Sequence, residues 1–217
     1  MKANLLMAAL VVGLAAVWPG SSSMQPTPHA QFGGPDVVIN EVAWAGTVAN
    51  SADEWIELRN NTSDEVDLSG YTLEWDDGET AIRFDGESDS NAKEVRQATI
   101  SAEGFLLLER TDDDTISDVE ADVLYTGALG NGGERLVLRD GEGDVVDEVN
   151  ADGGEWPAGA AGDGEVAYAS MERIDPEAEG EDSNWGTNDG VIRNGTDVGG
   201  NLINGTPKAE NSQKNTN

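Results

Sequence analysis

The chain has 217 residues, with 43 Asp and Glu against 12 Lys and Arg and a formal net charge of −31. This acidity excludes nucleic-acid binding through a broad basic surface, because contacts to phosphate need Lys and Arg. The sequence contains no Cys and a single His, His29, so thiolate chemistry, disulfides, Cys-ligated zinc and a Ser-His-Asp triad in the folded body are excluded too.

An apolar run at residues 5–18 is the first element of the chain. It follows Lys2 and precedes a Pro-Gly-Ser-Ser-Ser segment, a layout typical of a secretory signal peptide. Its fourteen residues fall short of the ~20 that a membrane-spanning helix needs. We therefore expect residues 1–23 to be a cleaved signal peptide and residues 24–36 to be a flexible linker. The mature chain is expected to be secreted or held at the cell surface, without a transmembrane segment.

From residue 37 onwards the pattern is that of short strands separated by turn residues. Residues 37–42 are mostly β-branched, and apolar and polar residues alternate along residues 55–60. This alternation places Ile56 on one face of the strand and Glu57 on the opposite face. Further strands are predicted at residues 70–75, 80–84, 98–100, 104–109, 122–125, 135–139, 144–150 and 166–174, with a hairpin turn at residues 140–143.

The distribution of apolar residues predicts an all-β fold. No window of about twelve residues or more has an apolar period of 3.6, and Gly, Asn and Asp recur at strand-length intervals. Such a chain is expected to form two antiparallel sheets packed face to face, although the strand order does not follow from the sequence. Asn60 is expected to close a turn, and Gly70 and Gly132 to adopt positive φ. The predicted core consists of Ile39, Val42, Ile56, Leu58, Leu73, Phe105, Leu107, Leu136, Leu138 and Val149.

Three acidic segments, at residues 111–115, 140–144 and 175–182, are the candidates for cation binding. None fits the helix-loop-helix calcium loop, since after the acids at 140, 142 and 144 neither the required Gly nor the bidentate Glu follows. We therefore interpret these segments as solvated turns and expect no cofactor or metal, with calcium as the alternative. Acidity of this kind is also found in proteins from high-salt organisms. The weak metal-ligand candidates are Asp112, Asp114, Asp140, Glu142 and Asp144.

Three tryptophans, Trp44, Trp156 and Trp185, lie in Gly-rich or acidic loop stretches. Aromatic rings displayed on a β-sandwich can stack on sugar faces, so these residues are the candidate binding residues of a carbohydrate-binding module. Alternatively, the rings fold over the ends of the core, where their large apolar area stabilises the fold.

Catalysis by carboxylates would require two acids that are buried and converge on one substrate, as in glycoside hydrolysis. The pattern marks neither Glu54 and Glu57 nor Asp147 and Glu148 as buried or convergent. A Ser-Lys pair is equally unsupported, because the lysines lie in predicted loops or in the tail. We therefore predict that the protein is not an enzyme and has no catalytic residues, and keep a carboxylate-dependent hydrolase as a further hypothesis.

Several segments, taken in order, resemble a lamin tail domain. They are INEV at 39–42, DEWIELRN at 53–60, DLSGYTL at 67–73 and GFLLL at 104–108, continued by LGNGGERLVL at 129–138 and DVVDEV at 144–149. SMER at 170–173, NW at 184–185 and GTP at 205–207, followed by Asn211, resemble the tail that follows this domain in exported prokaryotic relatives.

This resemblance implies an immunoglobulin-like antiparallel β-sandwich that serves in adhesion or tethering and has no catalytic residues of its own. The sandwich is expected at residues 37–175, followed by an acidic, Asn- and Gly-rich extension at 176–217 that can pack back on it. Filament formation is not expected, because the chain has no heptad region. The predicted function is that of a secreted, non-catalytic module. It would present loops and sheet edges to an unknown protein or polysaccharide at the cell surface, without direct nucleic-acid binding.

Overall fold

The structure, a computed structural model, describes residues 34–75, 78–86, 90–163 and 167–214. The predicted signal peptide at 1–23 and most of the linker at 24–36, with His29, lie outside these residues. The described residues belong to one compact unit, Phe32–Asn217. The strands are β1 (Val37–Ala43), β2 (Trp55–Asn60), β3 (Val66–Asp67), β4 (Thr72–Trp75), β5 (Thr80–Arg83), β6 (Ala92–Val95), β7 (Thr99–Ile100), β8 (Phe105–Arg110), β9 (Val123–Tyr125), β10 (Leu136–Arg139), β11 (Val145–Val149), β12 (Met171–Arg173) and β13 (Trp185–Thr187).

The strands form two main sheets, which confirms the all-β prediction. The larger sheet has the order β13-β12-β1-β2-β8-β9-β6, and the smaller has the order β11-β10-β4-β5. A short third sheet pairs β3 with β7. The pairs are antiparallel, as predicted, except that β8 and β9 are parallel. Residues 111–122 connect these two strands and return the chain to the same end of the sheet, as parallel pairing requires.

The core lies between the two main sheets and contains most of the predicted residues. Ile39, Val42, Ile56 and Leu58 come from the larger sheet, while Leu73, Leu136, Leu138 and Val149 come from the smaller sheet, and all eight are fully buried. No helix within the described part of the chain has the length and apolar character that a membrane span requires.

The two core predictions on β8 have different outcomes. Leu107 is fully buried, as predicted, but in a second hydrophobic cluster on the opposite face of the sheet, whereas Leu106 and Leu108 enter the core between the sheets. Phe105 is only partly buried, and its ring lies 5.3 Å from the guanidinium carbon of Arg59. The three consecutive leucines make both faces of the strand apolar, so alternation could not decide which one points inward.

The glycine predictions were right at one position and displaced by one residue at the other. Gly70 has a φ of +87°, as predicted, but the second positive φ, +107°, belongs to Gly133 and not to Gly132. A Cβ on Gly133 would lie 1.9 Å from the carbonyl oxygen of Gly154, so this position excludes any side chain.

Asn60 closes the turn after β2 with its buried side-chain amide. Asn60 Nδ2 lies within 2.7–3.1 Å of the carbonyl oxygens of Asp64, Ile100 and Ser101. We expect Asn60→Ala to lower the free energy of unfolding by about 2 kcal/mol in urea titrations, because buried carbonyl groups lose their donor. The exposed Asn131→Ala is the matched control and should change stability by less than about 0.5 kcal/mol. Equal stability of the two variants would contradict this role.

Candidate functional site

Trp44 and Trp156 pack against each other at one end of the core. Their rings are stacked with centroids 6.2 Å apart, and only 8% and 9% of their surfaces are exposed. Trp44 Nε1 donates to the carbonyl oxygen of Ala158 at 2.9 Å, and Trp156 Nε1 donates to that of Gly130 at 2.7 Å. Both tryptophans therefore occupy the positions that the core-capping interpretation assigns to them.

Trp185 is also buried, with 6% of its surface exposed. The guanidinium carbon of Arg173 lies 5.2 Å from the centre of its ring, and its Nε1 donates to the carbonyl oxygen of Gly180. The structure thus leaves little ring surface for a sugar at any of the three tryptophans, and carbohydrate binding there stays a prediction.

The candidate metal ligands shape turns. Asp140 Oδ1 accepts the backbone N–H groups of Glu142 at 3.0 Å and Asp144 at 2.9 Å, in the hairpin between β10 and β11. Asp112 Oδ1 accepts the backbone N–H of Asp114 at 3.3 Å. Within the described ranges, no three or more acids or histidines are arranged as a metal site. Calcium binding at these turns stays an untested alternative.

Three glutamates form a row across the face of the larger sheet that points away from the core. Glu41 on β1 lies directly opposite Glu172 on β12 and directly opposite Glu57 on β2. A β-bulge at Asn40 places the Asn40 side chain beside the same row, where its Nδ2 donates to Glu57 Oε1 at 2.9 Å. All three glutamates are fully buried. Like charges directly opposite each other destabilise a sheet, so this glutamate row requires a compensating structure.

The compensating structure is the C-terminal segment of residues 188–214, which we call the clasp. Its backbone N–H groups approach each glutamate in turn: Thr206 N lies 2.8 Å from Glu41, Lys208 N lies 2.5 Å from Glu57 and Gln213 N lies 3.0 Å from Glu172. The Asn188 and Ser212 side chains donate to Glu172, and that of Ser170 donates to Glu41. All six carboxyl oxygens of the glutamate row thus have partners within the chain.

The clasp fits closely against the sheet. A Cβ on Gly205 would lie 2.7 Å from Trp55 Cζ2 and 2.9 Å from Glu41 Oε1, so only glycine allows this approach. Asn211 Nδ2 donates to the carbonyl oxygen of Arg173 at 2.8 Å, while its Oδ1 accepts from Asn40 Nδ2 at 2.9 Å. The clasp is therefore held by specific polar contacts, not by apolar burial alone.

The hydroxyl group of Thr206 bridges two members of the glutamate row. Thr206 Oγ1 lies 2.9 Å from Glu41 Oε2 and 2.9 Å from Glu172 Oε1. A hydroxyl group has one proton to donate and lone pairs with which to accept. It can therefore donate to only one of the two carboxyl groups, and the second contact is a full hydrogen bond only when the other carboxyl group is protonated.

Burial changes the acidity of the glutamate row. Burial first, and then the carboxyl groups of Glu57 and Glu172, raise the pKa of Glu41 well above its ordinary value. Burial also raises the pKa of Glu57 to about 8, against the opposing effect of hydrogen bonds from Lys208 and Asn40. Protonation is favoured in both cases because the charged form has lost its hydration.

The sequence did not mark Glu54, Glu57 or Asp147 as buried, but the structure buries all three. Glu54 Oε1 lies 2.8 Å from Arg110, and Asp147 Oδ2 lies 2.5 Å from Arg173. Alternation along a strand assigns each side chain to a face, but it does not reveal what covers that face. The sequence signal that could have found the cover is the GTP tripeptide at 205–207 together with Asn211, because Gly205, Thr206 and Asn211 all contact the face of the larger sheet.

Exposed apolar side chains gather where the loop after β1 meets the clasp. Val48 and Leu202 are more than half exposed and line one cleft. Val198, also more than half exposed, follows Asp197, whose carboxylate accepts the backbone N–H of Ala49 at 3.0 Å. We call Val48, Val198 and Leu202 the apolar patch. In the described residues, the other exposed large hydrophobic side chains are Val145, Val191 and Ile192.

Carboxylates border the apolar patch. Burial raises the pKa of Asp53, and the nearby charges of Asp112 and Asp197 act in the same direction. Although burial opposes it, hydrogen bonds from Asn201 lower the pKa of Asp197, which keeps this carboxylate charged. The patch therefore combines apolar surface with a negative rim.

Comparison with known proteins agrees with this fold. Residues 30–153, more than half of the chain, match the family model of the Lamin Tail Domain. A search of curated proteins found none that matches the chain. The sandwich and the matched residues together show that the chain belongs to the lamin tail domain family.

Proposed function

We propose that the protein is a non-catalytic binding module, secreted or held at the cell surface, that recognises a partner through the apolar patch. The non-catalytic part is supported by the family and by the glutamate row, whose oxygens all have hydrogen-bond partners within the chain, most of them in the clasp. Export is supported by the apolar run at residues 5–18. The observation that carries the binding role is that the exposed Val48 and Leu202 line one cleft together with Asp197, the residue that precedes the exposed Val198.

The chemistry of the patch favours a partner segment that is both apolar and basic. An aliphatic side chain of the partner would cover Val48 and Leu202, and its Lys or Arg residues would face Asp53, Asp112 and Asp197. The net charge of −31 adds long-range attraction for such a segment and repels acidic ones. The patch itself is fixed in place, because Asp197 binds both the loop after β1 and its own turn through Asn201.

A peptide titration tests the proposal. Calorimetry at physiological ionic strength should detect binding of a short peptide that alternates Leu and Lys, and much weaker binding of a Ser-Lys peptide of equal charge. Leu202→Asp should weaken binding of the Leu-Lys peptide by about tenfold or more, because it removes roughly 1.5–3 kcal/mol of apolar contact. Val145→Asp, at an exposed valine on β11, is the matched control and should leave binding unchanged.

The sign of the Leu202→Asp effect distinguishes docking from simple charge attraction. The substitution adds a negative charge, so a purely electrostatic association with a basic peptide would become tighter. Tighter or unchanged binding, or equal binding of the two peptides, would refute the apolar patch as the recognition surface. A reproducible hydrolase activity that one carboxylate substitution abolishes would refute the non-catalytic assignment.

A further inference from the structure

The clasp is fixed to the sheet through a contact that requires a proton. Thr206 Oγ1 stands between Glu41 and Glu172, 2.9 Å from each, and one hydroxyl proton cannot satisfy two carboxylates. We propose that the Glu41-Thr206-Glu172 bridge is a proton-dependent latch, which holds the clasp on the larger sheet when it is protonated and releases the clasp as the pH rises.

Loss of the proton removes more than one hydrogen bond. It leaves Glu41 and Glu172 as buried carboxylates on directly opposing positions, with Glu57 on the other side of Glu41. Burial without a neutralising cation disfavours the charged form of a carboxyl group even where hydrogen bonds reach it, and repulsion between neighbouring carboxylates adds to this penalty. Moving the clasp away admits water to all three glutamates, so opening is the structural change that relieves the penalty.

The cations around the glutamate row are engaged elsewhere. Arg173 on β12 pairs with Asp147, and the ammonium group of Lys208 in the clasp lies 2.9 Å from Asp122. Arg59 on β2 pairs with Glu210 in the clasp, which also pairs with Lys214. Lys208 and Arg59 oppose the rise in the pKa of Glu57, yet that pKa remains at about 8. These cations therefore do not remove the need for the proton.

The latch also regulates the apolar patch, a consequence that rests on the proposed function. Val198 and Leu202 belong to the clasp, whereas Val48 lies in the loop after β1. Release of the clasp separates the two parts of the patch and ends its complementarity to a partner. Binding of the Leu-Lys peptide should therefore weaken over the same pH range in which the clasp opens.

The sign and size of the effect follow from linkage. The closed state holds a proton that the open state, with an ordinary glutamate pKa of 4.5, has released. Between the open-state and closed-state pKa values, the opening equilibrium rises about tenfold per pH unit for one proton. The open population therefore grows as the pH rises from 5.5 to 7.5.

Limited proteolysis of the full chain tests the latch without any partner. Mass spectrometry would follow tryptic cleavage after Lys208, normalised at each pH to cleavage of a synthetic peptide of residues 188–214. We expect the normalised rate to rise by about tenfold or more from pH 5.5 to 7.5, since proteolysis follows the open population when opening is fast. Cleavage after Arg139 in β10 reports global unfolding and should remain slower than cleavage after Lys208 at both pH values.

Two variants test the role of the proton directly. Glu41→Gln supplies an N–H to Thr206 at every pH, so the pH dependence of cleavage after Lys208 should fall by the share of one proton, and Glu57 accounts for the part that remains. Thr206→Val should open the clasp already at pH 5.5, while Thr206→Ser, which keeps the hydroxyl group, should behave as the parent protein does. Glu65→Gln, at an exposed glutamate, controls for the change in net charge.

A pH-independent rate in the parent protein would overturn the latch, as would an unchanged pH dependence in Glu41→Gln. Cleavage after Arg139 as fast as cleavage after Lys208 would also overturn it, because the protein would then unfold as a whole. Failure of peptide binding alone would refute the apolar patch and leave the proteolysis result standing, so the two proposals fail separately.

Discussion

Arg173→Leu is expected to lower the free energy of unfolding by about 3–5 kcal/mol, because it leaves the buried carboxylate of Asp147 without its partner. The Arg173 and Asp147 side chains are 0% and 1% exposed. Asp147 lies on β11 in the smaller sheet and Arg173 lies on β12 in the larger sheet, so the ion pair joins the two layers. Arg173 Nε also donates to the carbonyl oxygen of Ile39, and Asp147 Oδ2 accepts the backbone N–H of Ile39. Urea unfolding followed by tryptophan fluorescence would measure the loss.

Two further variants separate this ion pair from ordinary surface pairs. Arg135→Leu breaks the more exposed pair with Glu148 and should change stability by less than about 1 kcal/mol. Replacing Arg173 by Met and Asp147 by Leu together should recover most of the loss, because neither charge then remains buried alone. A loss below about 1 kcal/mol for Arg173→Leu would contradict the bridging role.

Stability is expected to fall as the pH rises from 5 to 8, contrary to the behaviour of most acidic side chains. Burial raises the pKa of Glu57 and of Glu109 to about 8 and that of Glu54 to about 7, and it raises the pKa of Glu41 as well. The folded state therefore binds protons that the unfolded state, with glutamate pKa values near 4.5, releases. Their stabilising effect is complete below pH 4.5 and is lost progressively up to about pH 8.

The pH profile should also turn over at low pH. Hydrogen bonds and ion pairs lower the pKa of Asp113, Asp197 and Glu210 against the effect of burial, so their contribution is lost as the pH falls through their folded-state pKa values. The two groups of acids act in opposite directions. Maximal stability is consequently expected near pH 4.5–5, between the two ranges.

Glu57→Gln measures the contribution of one buried glutamate to this profile. Each group with a raised pKa contributes a slope of about 1.4 kcal/mol per pH unit within its range. The variant should reduce the slope between pH 5 and 8 by about that amount, as measured by urea unfolding at each pH. The matched control Glu65→Gln makes the same charge change on the surface and should keep the parent slope. Stability that is constant or rises over this range would contradict the prediction.

The sequence predicted those strands in which apolar and polar residues alternate and turn residues mark the ends. β2 and the hairpin of β10 and β11 were predicted because alternation and turn residues agree there. β6 carries Lys93 and Glu94 in its four residues, and β13 has only three residues. Both are strands because a neighbouring strand supplies their hydrogen-bond partners, which is information that their own sequences do not contain.

The glutamate row could not be predicted from the sequence for a related reason. Its members become neighbours only through the register of three strands, one of which, β12, lies more than a hundred residues along the chain from β1. The bulge at Asn40 sets part of that register, and the clasp then covers the row. The tryptophans left two alternatives open, because a ring in a loop can cap a core or meet a ligand, and only the tertiary structure shows which surface is covered.

The strand order of the larger sheet limits how a partner can attach. One edge is β13, only three residues long, and the other is β6, whose Lys93 and Glu94 are exposed. Short or charged margins are poor templates for an incoming strand. Self-association by edge-to-edge pairing of this sheet is therefore disfavoured.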